Sequence, residues 1–182
     1  MFDVVVSSPS DEIVTSANIP QFSSLQDALR VPELLNMLDQ SFSFVALGIY
    51  LDPEKKKKEV AHKKYGETHG KLATLLDLAN VVRKSELQVE QTVFGNYFIE
   101  LDKDARRAMA ARLCLRIPVI QQLLCDAREQ PVVIEEYLKP CAESTKRRRA
   151  PNIETLLDLI RDGADSGDSA ILRACSNVRR AS

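Results

Sequence analysis

Most of the chain carries hydrophobic residues at the three- and four-residue spacing of amphipathic helices, while one short stretch alternates with a period of two. Leucines share one face between residues 25 and 40, where Pro32 suits the first turn of a helix. The apolar segment 42–51 predicts a buried helix, and Asp52 with Pro53 predicts the N-cap and first residue of the next helix.

Residues 55–93 predict two helices followed by a hairpin. The sequence YGET at 65–68 indicates a turn between the helices, in which Gly66 is free to adopt a positive φ. Two β-prone runs then flank the polar residues 84–86. Helix, turn, helix and hairpin in this order are typical of a winged helix.

A DNA-recognition helix needs polar or basic residues toward the groove and an apolar face toward its neighbours. Leu72, Leu75 and Leu76 supply the apolar face. The candidate DNA contacts of this first module are polar or basic: Lys63, Lys64, His69, Lys71, Thr74 and, at the hairpin tip, Lys84. A surface helix whose lysines are only solvated is the alternative, and the spacing does not decide between the two.

The second half of the chain is also predicted to be helical. A short helix over 94–101 precedes a long one that Asp102 caps and Pro118 interrupts. Further helices are predicted over 131–138, over 143–149 and from Pro151 onward, with a weak one at 170–175. We expect four parts: an acidic, loop-rich arm with one short strand at 4–6 (1–24), a first winged-helix module (25–101), a second helix-turn-helix-like module (102–161) and a flexible tail (162–182).

The net charge of -1 hides an uneven distribution. Residues 1–54 carry a net charge of -7, residues 55–150 carry +7 and residues 151–182 carry -1. Because charge distribution says more about partners than the total does, the middle of the chain is the part expected to face a polyanion.

The cysteines and histidines do not form a recognisable metal or redox motif. The four cysteines include no C-x-x-C pair, and His62 and His69 lie seven positions apart with no cysteine nearby. We therefore expect structural thiols, no metal and no cofactor. No run of apolar residues approaches the length of a membrane span, and the first residues do not resemble a secretory signal, so we expect a cytoplasmic protein without membrane contact.

The string KKYGETHGKLA at 63–73, continued by LLDL at 75–78, resembles the "KYGENHAKLA…L-L" signature of winged-helix modules associated with bacterial restriction endonucleases and antiphage defence proteins. Three further phrases follow in that family's order: TVFGNYFI at 92–99, LRIP at 115–118 and STKRR at 144–148. The resemblance covers roughly residues 25–161. The chain departs from the family in having no Trp and no room for a nuclease domain beside the two modules.

The basic run at 144–149 has three interpretations. It contacts DNA phosphates, or pairs with the acidic N-terminal segment, or is a solvated helix end in which arginines oppose the helix dipole. The resemblance favours the first. On that interpretation the DNA-binding residues of the second module are Ser144, Thr145, Lys146, Arg147, Arg148 and Arg149.

Catalysis is not expected. Asp39, Glu54 and Lys56 match the text of a metal-dependent nuclease motif, but Glu54 lies at a predicted helix start rather than on a buried strand. None of the common nucleotide-binding or hydrolase motifs occurs.

The sequence thus predicts a mostly α protein with small β-hairpin wings, a tandem winged-helix/helix-turn-helix arrangement that binds double-stranded DNA. The resemblance implies a recognition or regulatory subunit of a bacterial restriction or antiphage system, with a nuclease or ATPase subunit as a candidate partner. A homodimer is a further candidate assembly, since helix-turn-helix proteins often bind two half-sites. The competing hypothesis is an adaptor that uses the same scaffold to join protein subunits without contacting DNA.

Overall fold

The computed structural model describes residues 13–54, 58–164 and 168–181, except for the side chain of Glu59. The described chain is mostly helical, with one three-stranded antiparallel sheet and one two-stranded parallel pair. It divides into two compact units, one formed by residues 21–106 and the other by residues 1–20 together with 107–182.

The first unit holds four helices and three strands: α1 (Leu25–Leu38), β1 (Phe42–Ser43), α2 (Phe44–Leu51), α3 (Glu59–Leu75), β2 (Ala79–Arg83), β3 (Leu87–Gln91) and α4 (Val93–Glu100). Side-chain caps fix three of the helix starts. The hydroxyls of Ser24, Ser43 and Thr92 each accept a hydrogen bond from the backbone N–H three residues further on.

The sheet of the first unit has the order β1-β3-β2, and both pairings are antiparallel. Phe42 and Val81 both lie opposite Val89, which is fully buried at the centre of the sheet. The backbone N–H of Lys84 donates to the carbonyl of Glu86 at 3.0 Å and closes the hairpin. The predicted hairpin and the helix that follows it are therefore confirmed.

Gly66 lies in the middle of α3, so the predicted turn at residues 65–68 is wrong. The described glycines have no positive φ. Gly66 is needed for a close crossing of α2 and α3, because a Cβ at this position would lie 1.9 Å from the carbonyl oxygen of Phe44. Gly48 makes the reciprocal approach, where a Cβ would lie 2.0 Å from the carbonyl oxygen of His62.

Two predicted helix starts in the first unit also move. Pro32 sits inside α1 rather than in its first turn. Asp52 follows the last residue of α2 and does not begin a helix; α3 begins at Glu59 instead. The predicted strand at 4–6 and the lysines at 55–57 lie outside the described residues.

The second unit contains most of α5 and all the elements after it: α5 (Lys103–Cys114), α6 (Pro118–Ala127), β4 (Val132–Val133), α7 (Ile134–Tyr137), α8 (Glu143–Gly163), α9 (Ser169–Ser176) and β5 (Val178–Arg179). The carboxylate of Asp102 accepts from the N–H of Ala105 and caps α5, as predicted. The long helix predicted to follow this cap is interrupted before Pro118, where α6 begins. β4 and β5 pair in parallel, with Val132 opposite Val178.

Two predicted elements of this unit differ from the structure. Residues 131–138 form a short strand and a single helical turn in place of one helix. The two helices predicted on either side of Pro151 are one continuous helix, α8. Ala150 and Ile153 are fully buried on either side of the proline, so packing outweighs the one backbone hydrogen bond that proline removes.

No single described helix is long and apolar enough to cross a membrane, and only α5 and α6 taken together, bent by 80°, meet the criteria of length and composition.

Candidate nucleic-acid interface

The exposed face of α3 carries three of the predicted lysines. Lys63, Lys64 and Lys71 are all exposed. Lys64 Nζ lies 3.2 Å from one carboxylate oxygen of Glu67, and Lys71 Nζ lies 2.7 Å from the other. The hydrogen bond from Lys71, with help from Lys64, lowers the pKa of Glu67. The structure therefore brings Lys64 and Lys71 together, but around an acidic residue that the prediction did not include.

His69 is fully buried and is unavailable to a ligand on the surface, which corrects its assignment to the DNA-contacting face. Its Nε2 accepts from the backbone N–H of Ser24 at 3.2 Å, and its Nδ1 lies 2.7 Å from the carbonyl of Tyr65. Because Nε2 is an acceptor, Nδ1 carries the proton and donates to that carbonyl. His69 thus attaches α3 to the start of α1.

The predicted Thr74 is half-buried on α3, and its hydroxyl donates back to the carbonyl of Gly70 at 3.0 Å. This bond uses the only hydroxyl proton, so Thr74 is left with acceptor capacity alone. Thr74 therefore cannot donate to a phosphate while the bond persists.

The hairpin tip presents Arg83 and Lys84, both exposed. Lys84 Nζ forms an ion pair with Glu90 at 2.5 Å and donates to the hydroxyl of Ser41 at 3.3 Å. Lys84 therefore lies at the hairpin tip, where the sequence places it. Its positive charge is balanced by Glu90 in β3. Arg83 was missed, although its position beside Lys84 at the end of a predicted strand was a sufficient signal.

Behind its exposed face, α3 is held by polar contacts that are buried or half-buried. His62 Nε2 lies 3.2 Å from the carboxylate of Asp52, and both side chains are at least nine-tenths buried. The hydroxyl of Tyr65 donates to Asp27 on α1 at 2.5 Å. Desolvation and this carboxylate raise the pKa of Tyr65 to about 12. These contacts fix which side of α3 faces outward.

The second basic segment forms the first turns of α8, where its residues have different surroundings. Ser144 and Arg147 are exposed, and Arg147 has no ion-pair partner among the described residues. Lys146 pairs with Glu143 at 2.6 Å. Arg148 is exposed but donates to the carbonyl of Ser144 and, at 3.3 Å, to the hydroxyl of Thr145.

Arg149 turns inward. Its guanidinium donates to the carbonyl of Ser16 at 2.6 Å and to that of Ile19 at 3.1 Å. This corrects its assignment as a phosphate contact. The contact resembles the second interpretation of the basic run, in which the run holds the N-terminal segment, but it uses backbone carbonyls rather than acidic side chains.

The net charge of each compact unit differs from the net charges of the sequence ranges 1–54, 55–150 and 151–182. The unit of residues 21–106 has 12 Lys and Arg against 13 Asp and Glu, and the other unit has 13 of each. The excess of +7 over residues 55–150 is therefore divided and neutralised by acidic residues from outside that window. Any attraction to a polyanion has to come from local clusters.

Among the described residues, no group of three or more His, Cys, Asp or Glu side chains is arranged to hold a metal ion.

Comparison of the chain with protein-family models, with curated proteins and with solved structures found no match.

Proposed function

We propose that residues 21–106 form a winged-helix domain that binds double-stranded DNA, with α3 as the recognition helix and the β2–β3 hairpin as the wing. The observation that supports this most is the sheet order β1-β3-β2, with α3 leading directly into the hairpin and exposing Lys63, Lys64 and Lys71. A helix that enters the major groove while a neighbouring element contacts the backbone is a common geometry of such domains.

Each exposed cation would have a definite task in this complex. Lysine ammonium groups on α3 and Arg83 on the hairpin would neutralise phosphates, which position the protein without specifying the sequence. Base contacts would fall to the middle of α3, where Glu67 lies between Lys64 and Lys71. Glutamate accepts from the cytosine amino group in the major groove, and lysine donates to guanine.

The second unit contributes to the proposal through Arg147 and Arg148, the two exposed arginines at the start of α8. Arginine is well suited to phosphate because its planar guanidinium forms two parallel hydrogen bonds. The setting that we propose, a subunit of a bacterial restriction or antiphage system acting with a nuclease or ATPase, depends on the sequence resemblance alone.

A titration of the full chain against a 20-base-pair duplex, followed by fluorescence anisotropy at 50 and 200 mM salt, tests the proposal. Two variants separate the units: Lys63, Lys64 and Lys71 all changed to Ala, and Arg147 and Arg148 both changed to Ala. Each should bind more weakly and with less dependence on salt than the parent, since each lost phosphate contact lowers the salt slope by about 0.9.

Lys103→Ala with Lys139→Ala is the matched control, because it removes two exposed positive charges outside α3, the hairpin and α8. It should bind nearly as the parent does. Failure of the folded parent to bind at 50 mM salt contradicts the proposal. So does an equal loss of affinity in the control and in the arginine pair, which would indicate general charge rather than a defined surface.

The adaptor hypothesis is supported by a different observation. Val45 and Ile49, one turn apart on α2, are 38% and 44% exposed, and Tyr50 beside them is 41% exposed. Exposed apolar residues that cluster are typical of protein-binding surfaces. An adaptor or a dimer of this kind would lose its complex in Ile49→Asp while the lysine variant retained it, which affinity capture and analytical ultracentrifugation can measure.

A further inference from the structure

Glu67 occupies an unusual place for an acidic residue on a helix proposed to contact DNA. Val60, Lys64, Glu67 and Lys71 recur at three- and four-residue spacing and so form one stripe along the exposed side of α3. Glu67 is at the centre of this stripe, and its side chain is 25% exposed. Each of its two carboxylate oxygens contacts one lysine.

This arrangement holds the two lysines to the protein rather than leaving them to a ligand. Lys64 and Lys71 are 63% and 54% exposed, so water reaches both ammonium groups, but both converge on the same carboxylate. A phosphate that approaches either lysine has to compete with Glu67 for its hydrogen bonds and is repelled by the carboxylate. Exposed ion pairs of this type are individually weak, so the competition is reversible.

We infer that Glu67 restrains the binding of α3 to DNA phosphates, and that it lowers the affinity for duplexes of any sequence by holding Lys64 and Lys71 in ion pairs. The inference depends on the proposed function, because it assumes that α3 faces DNA. Such a restraint would increase the specificity of a protein that recognises a DNA sequence. Phosphate contacts supply the affinity that is independent of sequence, so reducing that affinity raises the ratio of specific to non-specific binding.

The test is the variant Glu67→Gln, which keeps the size and helical preference of the side chain and removes its charge. Because one negative charge is lost, the salt slope should steepen by about 0.9, and affinity for a mixed-sequence 20-base-pair duplex should rise close to tenfold at 0.1 M salt. Glu100→Gln is the matched control, since it removes an exposed charge on α4 rather than on α3. It should change the affinity much less.

A second variant ties the gain to the two lysines. The triple variant Glu67→Gln, Lys64→Ala, Lys71→Ala should bind no more tightly than the double variant Lys64→Ala, Lys71→Ala. The gain from Glu67→Gln disappears in this background because the cations that Glu67 restrains are no longer present. A gain that survives in the triple variant overturns the inference. Circular dichroism melts of every variant establish that the chain remains folded.

The outcomes separate the inference from the proposed function. If the parent binds duplex DNA and the lysine variant binds more weakly, but Glu67→Gln binds no more tightly than the parent, the inference is wrong and the proposed function stands. If neither the parent nor Glu67→Gln binds at 50 mM salt, the proposed function is wrong and the inference fails with it. If the parent binds and no substitution on α3 changes its affinity, α3 is not the interface, and both are wrong.

Discussion

The crossing of α2 and α3 leads to a prediction whose size follows from the structure. Changing Gly66 to Ala places a Cβ 1.9 Å from the carbonyl oxygen of Phe44, 2.7 Å from the backbone nitrogen of Gly48 and 2.9 Å from the carbonyl carbon of Phe44. All three atoms belong to the backbone of α2 and cannot rotate away. The helices therefore have to separate by more than 1 Å, judged against ordinary contact distances of about 3.5 Å or more between such atoms.

Two effects of opposite sign then determine the change in the free energy of unfolding. Overpacking costs about 1–3 kcal/mol, and a backbone obstacle places this site at the upper end of that range. Alanine is favoured over glycine inside a helix by about 1 kcal/mol, which offsets part of the cost. We expect Gly66→Ala to lower the free energy of unfolding by about 2 kcal/mol.

Gly70→Ala is the matched comparison, because it offers the same gain in helix preference on the same helix. A Cβ at this position would meet side-chain atoms instead, Val89 Cγ2 at 2.9 Å and Leu47 Cδ2 at 3.3 Å, which have more freedom to adjust. We expect a net change within about 1 kcal/mol. Urea unfolding of the full chain, followed by circular dichroism, measures both variants.

The reciprocal position provides an internal check. Gly48→Ala meets the carbonyl of His62 at 2.0 Å and should cost about as much as Gly66→Ala. Once one methyl group has separated the helices, the second costs less, so the double variant should be destabilised by less than the sum of the two. If Gly66→Ala proves as stable as Gly70→Ala, the close crossing does not explain why residue 66 is glycine.

Three further predictions concern the side-chain contacts of His69, Tyr65 and Arg149. His69→Ala leaves the N–H of Ser24 and the carbonyl of Tyr65 without their partner and should cost about 2–4 kcal/mol in urea unfolding, while an unchanged midpoint would contradict the contact. Tyr65, whose pKa is raised to about 12, should ionise late in an alkaline titration at 295 nm. The neutral phenol, which donates to Asp27, contributes stability below pH 10 that is lost as the pH rises toward 12. Because desolvation and Asp126 also raise the pKa of Tyr137, Tyr65→Phe should remove one late-ionising group and leave the other. Arg149→Ala should speed hydrogen exchange and proteolysis in residues 13–20 without reducing the salt dependence of DNA binding, and a reduced salt slope would restore Arg149 as a phosphate contact.

Elements fixed by local chemistry could be predicted from the sequence. The hairpin follows from two β-prone runs around a polar turn, and the boundary between α5 and α6 follows from Pro118. Asp102 is a predictable cap, because its carboxylate accepts from an N–H only three residues further on, in the first turn of α5. Each of these signals lies within a few residues of the feature that it predicts.

Features that depend on distant partners could not be predicted in the same way. Gly66 is compatible with a turn until α2 is placed against it, and His69 looks like a surface residue until Ser24 is found beside its ring. Pro151 would end an isolated helix, but buried residues on both sides hold α8 together. The ion pairs of Glu67 are different, because both partners lie on the same helix within four residues of it. The spacing of Lys64, Glu67 and Lys71 is typical of paired charges on a helix, so these pairs could have been predicted from the sequence.

Ion pairs within the protein limit how strongly its affinity for DNA can depend on salt. The predicted contacts included eight cations, which would give a slope of about -7 in a plot of log affinity against log salt concentration. In the structure Glu67 offsets one of the three lysines on α3, Glu90 balances Lys84, Glu143 balances Lys146, and Arg149 turns inward.

Two net charges then remain on α3, one on the hairpin at Arg83 and two, Arg147 and Arg148, on α8, so the expected slope is about -4.5. Between 50 and 200 mM salt the affinity should fall about 500-fold instead of about 20,000-fold. A measured slope near -7 would mean that these ion pairs open when DNA binds. The folded charge distribution would then be a poor guide to the complex, and the restraint assigned to Glu67 would have to be far weaker than its two contacts indicate.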